Sequence, residues 1–175
     1  MKRLRTAAAA LACALLLAGC TGPAGGDGSG GTAGRSLLSA GERDSYKLSQ
    51  IQPDQVNSFA GASMELVKGG REQVSVRISS DSANPNECTY GADYWLEVLA
   101  EGSWRVLPTA SGKEPAFAAI GYSLAPGESR QLDIRTADLY GSLPDGSYRL
   151  VKSVLDFRGT GDYETYYLAA EFTVG

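Results

Sequence analysis

The chain has 175 residues, with 20 acidic against 16 basic side chains and no histidine. That length suits one domain with a full core and some additional chain, and a formal charge of −4 disfavours nucleic acid and anionic lipid headgroups, which want clusters of Lys and Arg. Without histidine, Ser-His-Asp and Cys-His catalysis and His-type zinc sites are excluded, and no ordinary side chain titrates near neutral pH.

The chain opens on Met1-Lys2-Arg3-Leu4-Arg5 followed by TAAAALACALLLAG, a positive head and a short apolar run that read as an export signal over 1–19. The run falls short of the roughly 20 residues that a spanning helix needs. It ends in Leu17-Ala18-Gly19-Cys20, which resembles the lipobox of bacterial lipoproteins. The resemblance implies cleavage before Cys20, a diacylglycerol on its thiol and an acyl chain on the new amino terminus. Two or more chains give stable anchoring where one binds marginally, so the expected location is the outer face of the cell membrane, held to the bilayer through acylated Cys20. Ordinary secretion after a small-residue site is the other reading. Removing 1–19 takes away Lys2, Arg3 and Arg5 and no acid, so the formal charge falls by three, from −4 to −7. Cys13 leaves with the signal and Cys20 is modified, so Cys88 has no partner in the mature chain and no internal disulfide is expected. Cys88 reads as a small half-buried filler, with an intermolecular pair or a reactive thiol as the other reading.

Residues 20–35 are the cysteine and then TGPAGGDGSGGTAGR, which has nothing to bury and reads as a flexible tether reaching roughly 20 Å as a random coil. Between 36 and 61 the apolar residues Leu37, Leu38, Tyr46, Leu48, Ile51, Val56 and Phe59 follow no sustained period, so this stretch reads as a partly ordered lead-in.

From 62 the pattern changes to short β-type runs separated by turn residues, the signature of an antiparallel sandwich or barrel. Ser63–Val67 is the first run. In EQVSVRIS, Val74, Val76 and Ile78 point one way and Ser75, Arg77 and Ser79 the other. DSANPNE (81–87) reads as a connection. In DYWLEVLAEGSWRVLP, Glu101-Gly102-Ser103 is a hairpin turn, with Tyr94, Leu96 and Val98 on one face and Trp95, Glu97 and Leu99 on the other. AFAAIGYSL, the turn Ala125-Pro126-Gly127-Glu128 and SRQLDIRT follow, with Leu132 and Ile134 inward. ADLYG is a helical turn, GSYRLVKSVLDF a strand, RGTGD a loop, and YETYYLAAEFTV the last strand, with Tyr166, Leu168, Ala170, Phe172 and Val174 on its core side. The expected class is all-β, with about seven or eight strands over 62–175.

Leu143-Pro144-Asp145-Gly146-Ser147-Tyr148-Arg149-Leu150 resembles the tyrosine corner of immunoglobulin-like domains, in which a Tyr hydroxyl bonds back to upstream backbone and its ring enters the core. Leu150 stands where an antibody domain has its second Cys, so an Ig-like sandwich here would rest on packing without a disulfide. Trp95 falls on the strand where such domains bury a Trp, and the alternation leaves open whether Trp95 or Tyr94 faces in. With Cys88–Tyr94, Gly102-Ser103-Trp104, Ile120-Gly121-Tyr122, Leu139-Tyr140-Gly141, Gly146–Lys152 and Tyr166–Phe172, the run from 62 to 174 is similar to the bacterial Ig-like domain of exported proteins. The resemblance implies a fold and a location and carries no catalytic role onto any residue.

Oxygen-bearing side chains over Asp81–Glu87 could hold a Ca²⁺, but the same residues are what a plain turn needs; no metal and no cofactor are expected. Gly159-Thr160-Gly161 joins two strands and opens no helix, so it reads as a turn rather than a phosphate cradle. No pattern isolates a catalytic carboxylate pair, and no enzyme is expected. Tyr90, Tyr94, Trp95, Trp104, Tyr122, Tyr148 and Tyr166 read as packing residues. Tyr140, Tyr163 and Tyr167 are the candidates for an exposed recognition patch. The functional expectation is a membrane-anchored Ig-like binding module whose partner is an envelope protein or a wall polymer; no motif names the ligand. Alternatives are a structural accessory subunit of an envelope complex and an inhibitor of an exported protease or hydrolase.

Overall fold

The computed structural model describes residues 40–44 and 46–175. The export signal, Cys20, the tether and the first residues of the lead-in lie outside the described residues. Among those described, no helix is long and apolar enough to cross a membrane.

Among the described residues nine strands form two antiparallel layers. The smaller layer has the order β1 (Ala62–Lys68), β2 (Val74–Ser80), β7 (Ser129–Ile134). In the larger, β8 (Gly146–Gly159) and β9 (Asp162–Val174) make a long hairpin. Along its other edge β8 meets two strands in succession, β4 (Trp95–Ala100) and β3 (Glu87–Gly91). β5 (Ser103–Val106) then pairs with β4, and β6 (Gly121–Leu124) with β3. This is the immunoglobulin-like sandwich expected from the sequence, without a disulfide: the one described cysteine, Cys88, is free and buried.

The strand count exceeds seven or eight because Glu87–Gly91, read as part of a connection and lead-up, is a strand of its own. A bulge separates it from β4. The run AFAAIGYSL contributes only its last four residues to a strand, and 116–120 stays irregular. ADLYG is the single helical turn α2 (Ala137–Tyr140), and a helical turn of the same length, α1 (Ala40–Arg43), opens the described chain.

The core lies between the layers. Val74, Val76 and Ile78 of β2 face Leu96 and Val98 of β4 and Tyr148, Leu150 and Val154 of β8, all fully buried. Leu132 and Ile134 pack against this cluster from the edge strand β7, as the alternation predicts. The tyrosine corner is present: Tyr148 is fully buried, stacks on Phe172, and its hydroxyl donates to the Pro144 carbonyl at 2.7 Å. Leu150, at the position of the missing cysteine, fills the core instead. Tyr94 packs against the central core, whereas Trp95 faces the opposite side of the sheet. In this chain the inward ring of the strand is therefore a tyrosine.

Glu101 and Gly102 turn β4 into β5 with positive φ at both positions, 48° and 73°, a two-residue turn whose twist matches its flanking strands. The turn after β6 carries the chain from one layer to the other, with Gly127 at φ 80° behind Pro126.

The lead-in is built into the larger layer although its sequence has no period. Lys47 and Ser49 pair with the outer edge of β5, the Ser49 amide donating to the Trp104 carbonyl and the Val106 amide to that of Lys47. The chain then crosses the outer face of the sheet, turns at Pro53–Gln55, and reaches β9 on the far side, where Val56 bridges Tyr167 in parallel. Asn57 holds this end: its side chain donates to the Ala169 carbonyl and accepts from the Ala169 amide. Such a strap covers part of both exposed sheet edges, which would otherwise present unpaired backbone groups. Between its ends Ile51 and Val56 pack on Val151, Ala169, Trp95 and Tyr167, a second apolar cluster outside the sandwich. A crossing chain touches the sheet at irregular intervals, so no single residue period can describe it.

Candidate functional site

The site starts from a change of register. Tyr90 pairs with Val154, and Trp95 with Val151; five steps along one strand match three along the other, so the strand carries two residues more than β8 between these pairs. A bulge re-aims side chains and parts the strands on either side of it. Here it lets β3 and β4 diverge, β3 toward β6 and β4 toward β5. The segment 107–120 must then span from β5 to β6 across the gap.

A groove of about 730 Å³ opens there. It is lined by Tyr94 and Trp95, by the strap residues Lys47 and Ile51, and by Lys113 and Phe117 of the long loop. The rings are held edge to face: Tyr94 against Phe117 at 5.4 Å, Trp95 against Tyr167 at 6.0 Å. Irregular segments of this length in a domain that is otherwise sheet are commonly binding loops. This one is tied down at its start, where the Ala110 amide donates to Leu139 and the Thr109 hydroxyl to the Lys113 carbonyl. The rim carries both signs, with Asp93 and Glu114 against Lys47 and Lys113. Burial pushes the Tyr94 phenol up to about 12, with Tyr140 and Asp138 adding to it, so the groove presents a neutral hydroxyl.

The Trp95 side of the groove is stiffened by polar groups beneath the strap. Glu97 is buried and accepts from four donors: Trp95 Nε1 at 3.1 Å and Ser49 Oγ at 2.8 Å on one oxygen, Arg149 Nε at 2.7 Å and Nη2 at 2.6 Å on the other. The Arg149 guanidinium lies 4.6 Å from the centre of the Trp104 ring. Two adjacent strands and the strap are thus joined through one carboxylate, and the neighbouring hairpin arm through its arginine partner.

Several sequence expectations need correction. Tyr140 is buried, its hydroxyl accepting from the Leu96 amide at 3.2 Å, because the helical turn directs it inward; it is no part of an exposed patch. Tyr163 is exposed near the tip of the β8–β9 hairpin, and Tyr167, on the same outward face of β9, is half-buried against Trp95, so the three tyrosines do not make one exposed patch. Cys88 is fully buried rather than half-buried, and burial, with Asp156 second, pushes its thiol up to about 11; a reactive thiol or an intermolecular pair does not fit that setting. Tyr122 is more exposed than a packing residue, though it stacks on Tyr90 at 5.6 Å.

In the loop 81–87 the side-chain oxygens serve the turn: Asp81 accepts from the Ala83 amide, Asn84 from the Asn86 amide, and Asn86 donates to Asp156. Among the described residues no three His, Cys, Asp or Glu side chains stand close enough to hold a metal ion. Gly159-Thr160-Gly161 is the tip of the β8–β9 hairpin, as its place between two strands predicts.

Sequence reasoning missed Asp93, Phe117, Lys152 and the Glu97–Arg149 pair. For Lys152 a signal exists, a lysine at an inward position between Leu150 and Val154. For the others there is none, because the groove joins segments distant in the chain.

No match was found among curated proteins or among solved structures. The model of the bacterial Ig-like domain family matches residues 59–173, beginning at the Phe59 that stacks on Tyr166 at 4.4 Å and ending one residue short of the last buried position of β9. That family is a non-catalytic fold. The match spans more than half of the chain and all but the last residue of the sandwich, so the protein belongs to the bacterial Ig-like domain family.

Proposed function

We propose that this chain is an exported lipoprotein, held to the outer face of the cell membrane by acylated Cys20, whose Ig-like domain is a binding module rather than an enzyme. The observation that carries the reading is the groove of about 730 Å³ lined by Tyr94, Trp95 and Phe117. Its ligand is an extended strand of wall polysaccharide. Rings presented along an open groove stack on sugar faces, and a rim of Asp93, Glu114, Lys47 and Lys113 offers hydrogen bonds of both kinds to hydroxyl and amide groups. The acidic balance of the mature chain argues against a polyanionic partner. A tether of the composition found at 20–35 supports the same reading, since it would let the domain reach the wall from the bilayer.

The test has two parts. Cys20→Ser should move the protein from the membrane to the soluble fraction; retention in the membrane with the signal removed would refute the anchor. The released protein should sediment with purified wall sacculi, and Phe117→Ala and Lys113→Ala should each weaken that binding without unfolding the domain. Capture of one stoichiometric envelope protein with no affinity for sacculi would replace the polysaccharide with a protein partner.

A further inference from the structure

We infer that Lys152 is the positioning residue of the groove: its buried ammonium is the internal strut that holds the two-residue bulge open and so sets where Tyr94 and Trp95 stand. Lys152 lies on the inner side of β8, between Leu150 and Val154, and is fully buried. Its stem follows the core and its ammonium reaches the strand edge, donating to the Gly91 carbonyl at 3.0 Å and the Asp93 carbonyl at 2.5 Å. Both carbonyls belong to the four residues, 91–94, that lie between the pairs Tyr90–Val154 and Trp95–Val151. The Tyr90 ring lies 5.7 Å from the same nitrogen, which adds a cation–ring contact.

A second tie comes from the next residue, whose side chain points the other way. The Ser153 hydroxyl donates to the Asp93 carboxylate at 2.9 Å. Lys152 and Ser153 are the residues of β8 that lie opposite the excess, between the pairs Tyr90–Val154 and Trp95–Val151. The bulge is therefore gripped from both faces of the sheet by consecutive residues, one through backbone oxygens and one through a side chain.

The choice of a lysine is informative. Burial lowers the pKa of Lys152 and the Asp93 charge only partly opposes this, so a buried cation is kept where a leucine would fill the same core volume. An ammonium has three rotatable donors on a flexible stem and can bind two carbonyls in arbitrary geometry. No apolar residue can hold two backbone oxygens at a fixed separation. That separation defines how far β3 and β4 diverge, and hence the width of the gap spanned by 107–120.

The inference rests on the groove being the binding site only for its functional meaning; the strut itself is tested without a ligand. Amide and indole resonances are compared in Cys20→Ser protein, lipid-free, with and without Lys152→Met. The expected result is a shift of the Gly91, Ala92, Asp93 and Tyr94 amides and of the Trp95 indole signal, with the amides of β1, β2 and β7 in place. Ser153→Ala should produce a smaller shift of the same set. Unchanged Gly91–Trp95 signals in a folded Lys152→Met protein would overturn the assignment, whatever happens to its Tm.

Should that variant not fold, amine labelling of the unsubstituted protein decides. Lys152 is expected to resist acylation while Lys47, Lys68 and Lys113 react; labelling of Lys152 at the rate of Lys47 would overturn the strut. Loss of sacculus binding in Phe117→Ala but not in Lys152→Met would also overturn the positioning role. Binding unaffected by either, with the resonance shifts present, would sink the binding reading and leave the strut standing.

Discussion

The Tyr148 hydroxyl donates to the carbonyl oxygen of Pro144, four residues upstream, at 2.7 Å, while the Tyr148 ring is sealed between the layers and stacked on Phe172. This bond fixes the entry of β8 into the core, and it does so where the related antibody domains also have a disulfide to rely on. Tyr148→Phe keeps the ring and removes the bond. The expected cost is about 1 kcal/mol, a fall of several degrees in Tm for a domain of this size. Urea unfolding of the two proteins side by side measures it; equal midpoints would mean that the corner is packing alone.

The buried pair Glu97 and Arg149 gives a second prediction. Removing one partner leaves an uncompensated buried charge, so Glu97→Ala and Arg149→Ala should each destabilise by about 3–5 kcal/mol. Replacing both with apolar residues of similar volume should cost much less than the sum of the single changes. A double-mutant cycle on unfolding free energies gives the coupling, and simple additivity would show that the two side chains act independently.

Asn57 is a residue at positive φ, 55°, and ties the strap to β9 through two bonds with Ala169. Asn57→Gly removes those bonds without backbone strain, and Asn57→Ala removes them and adds the penalty of a side chain in the left-handed region, about 1 kcal/mol more. In both variants the Ala169 amide should exchange faster with solvent. Identical stabilities for the two would argue that the strap relaxes rather than strains.

Alkaline pH acts through Cys88. Burial pushes its thiol well above the ordinary thiol range, up to about 11, so the folded state keeps the proton that the unfolded chain loses. Stability from this group is fully present below pH 9 and is lost as pH rises toward 11, on the order of 2 kcal/mol across the window. Tyr94, raised to about 12, extends the loss upward, whereas Lys152, lowered, acts in the opposite sense. Cys88→Ala should therefore show a shallower decline between pH 9 and 11 than the unsubstituted protein. A thiol reagent should modify Cys88 only as fast as the domain opens; rapid reaction in native buffer would contradict its burial.

Alternation along a strand is a local property, and it sufficed for the inward set of β2, the hairpin at Glu101-Gly102, the inward residues of β7 and β9, and the tyrosine corner. Each is decided by neighbours one or two residues away, through pleat, turn geometry and φ preference. The same reasoning placed Tyr140 outside, because a single helical turn has no period from which to read its buried side. It also left Tyr94 and Trp95 undecided, since both faces of that strand carry rings and both are in fact covered, one by the core and the other by the strap.

What the chain determined by itself is the all-β class, the span of the sandwich, the absence of histidine chemistry and the packing solution without a disulfide, since these follow from composition and from contacts near in sequence. What only the tertiary structure decided is the groove. Its lining comes from Tyr94 and Trp95, from the strap around Ile51 and from the loop around Phe117, and its width from Lys152 on β8. These segments meet because two extra residues force one strand to part from another, and the consequence of a register shift can be seen only when both strands are in place.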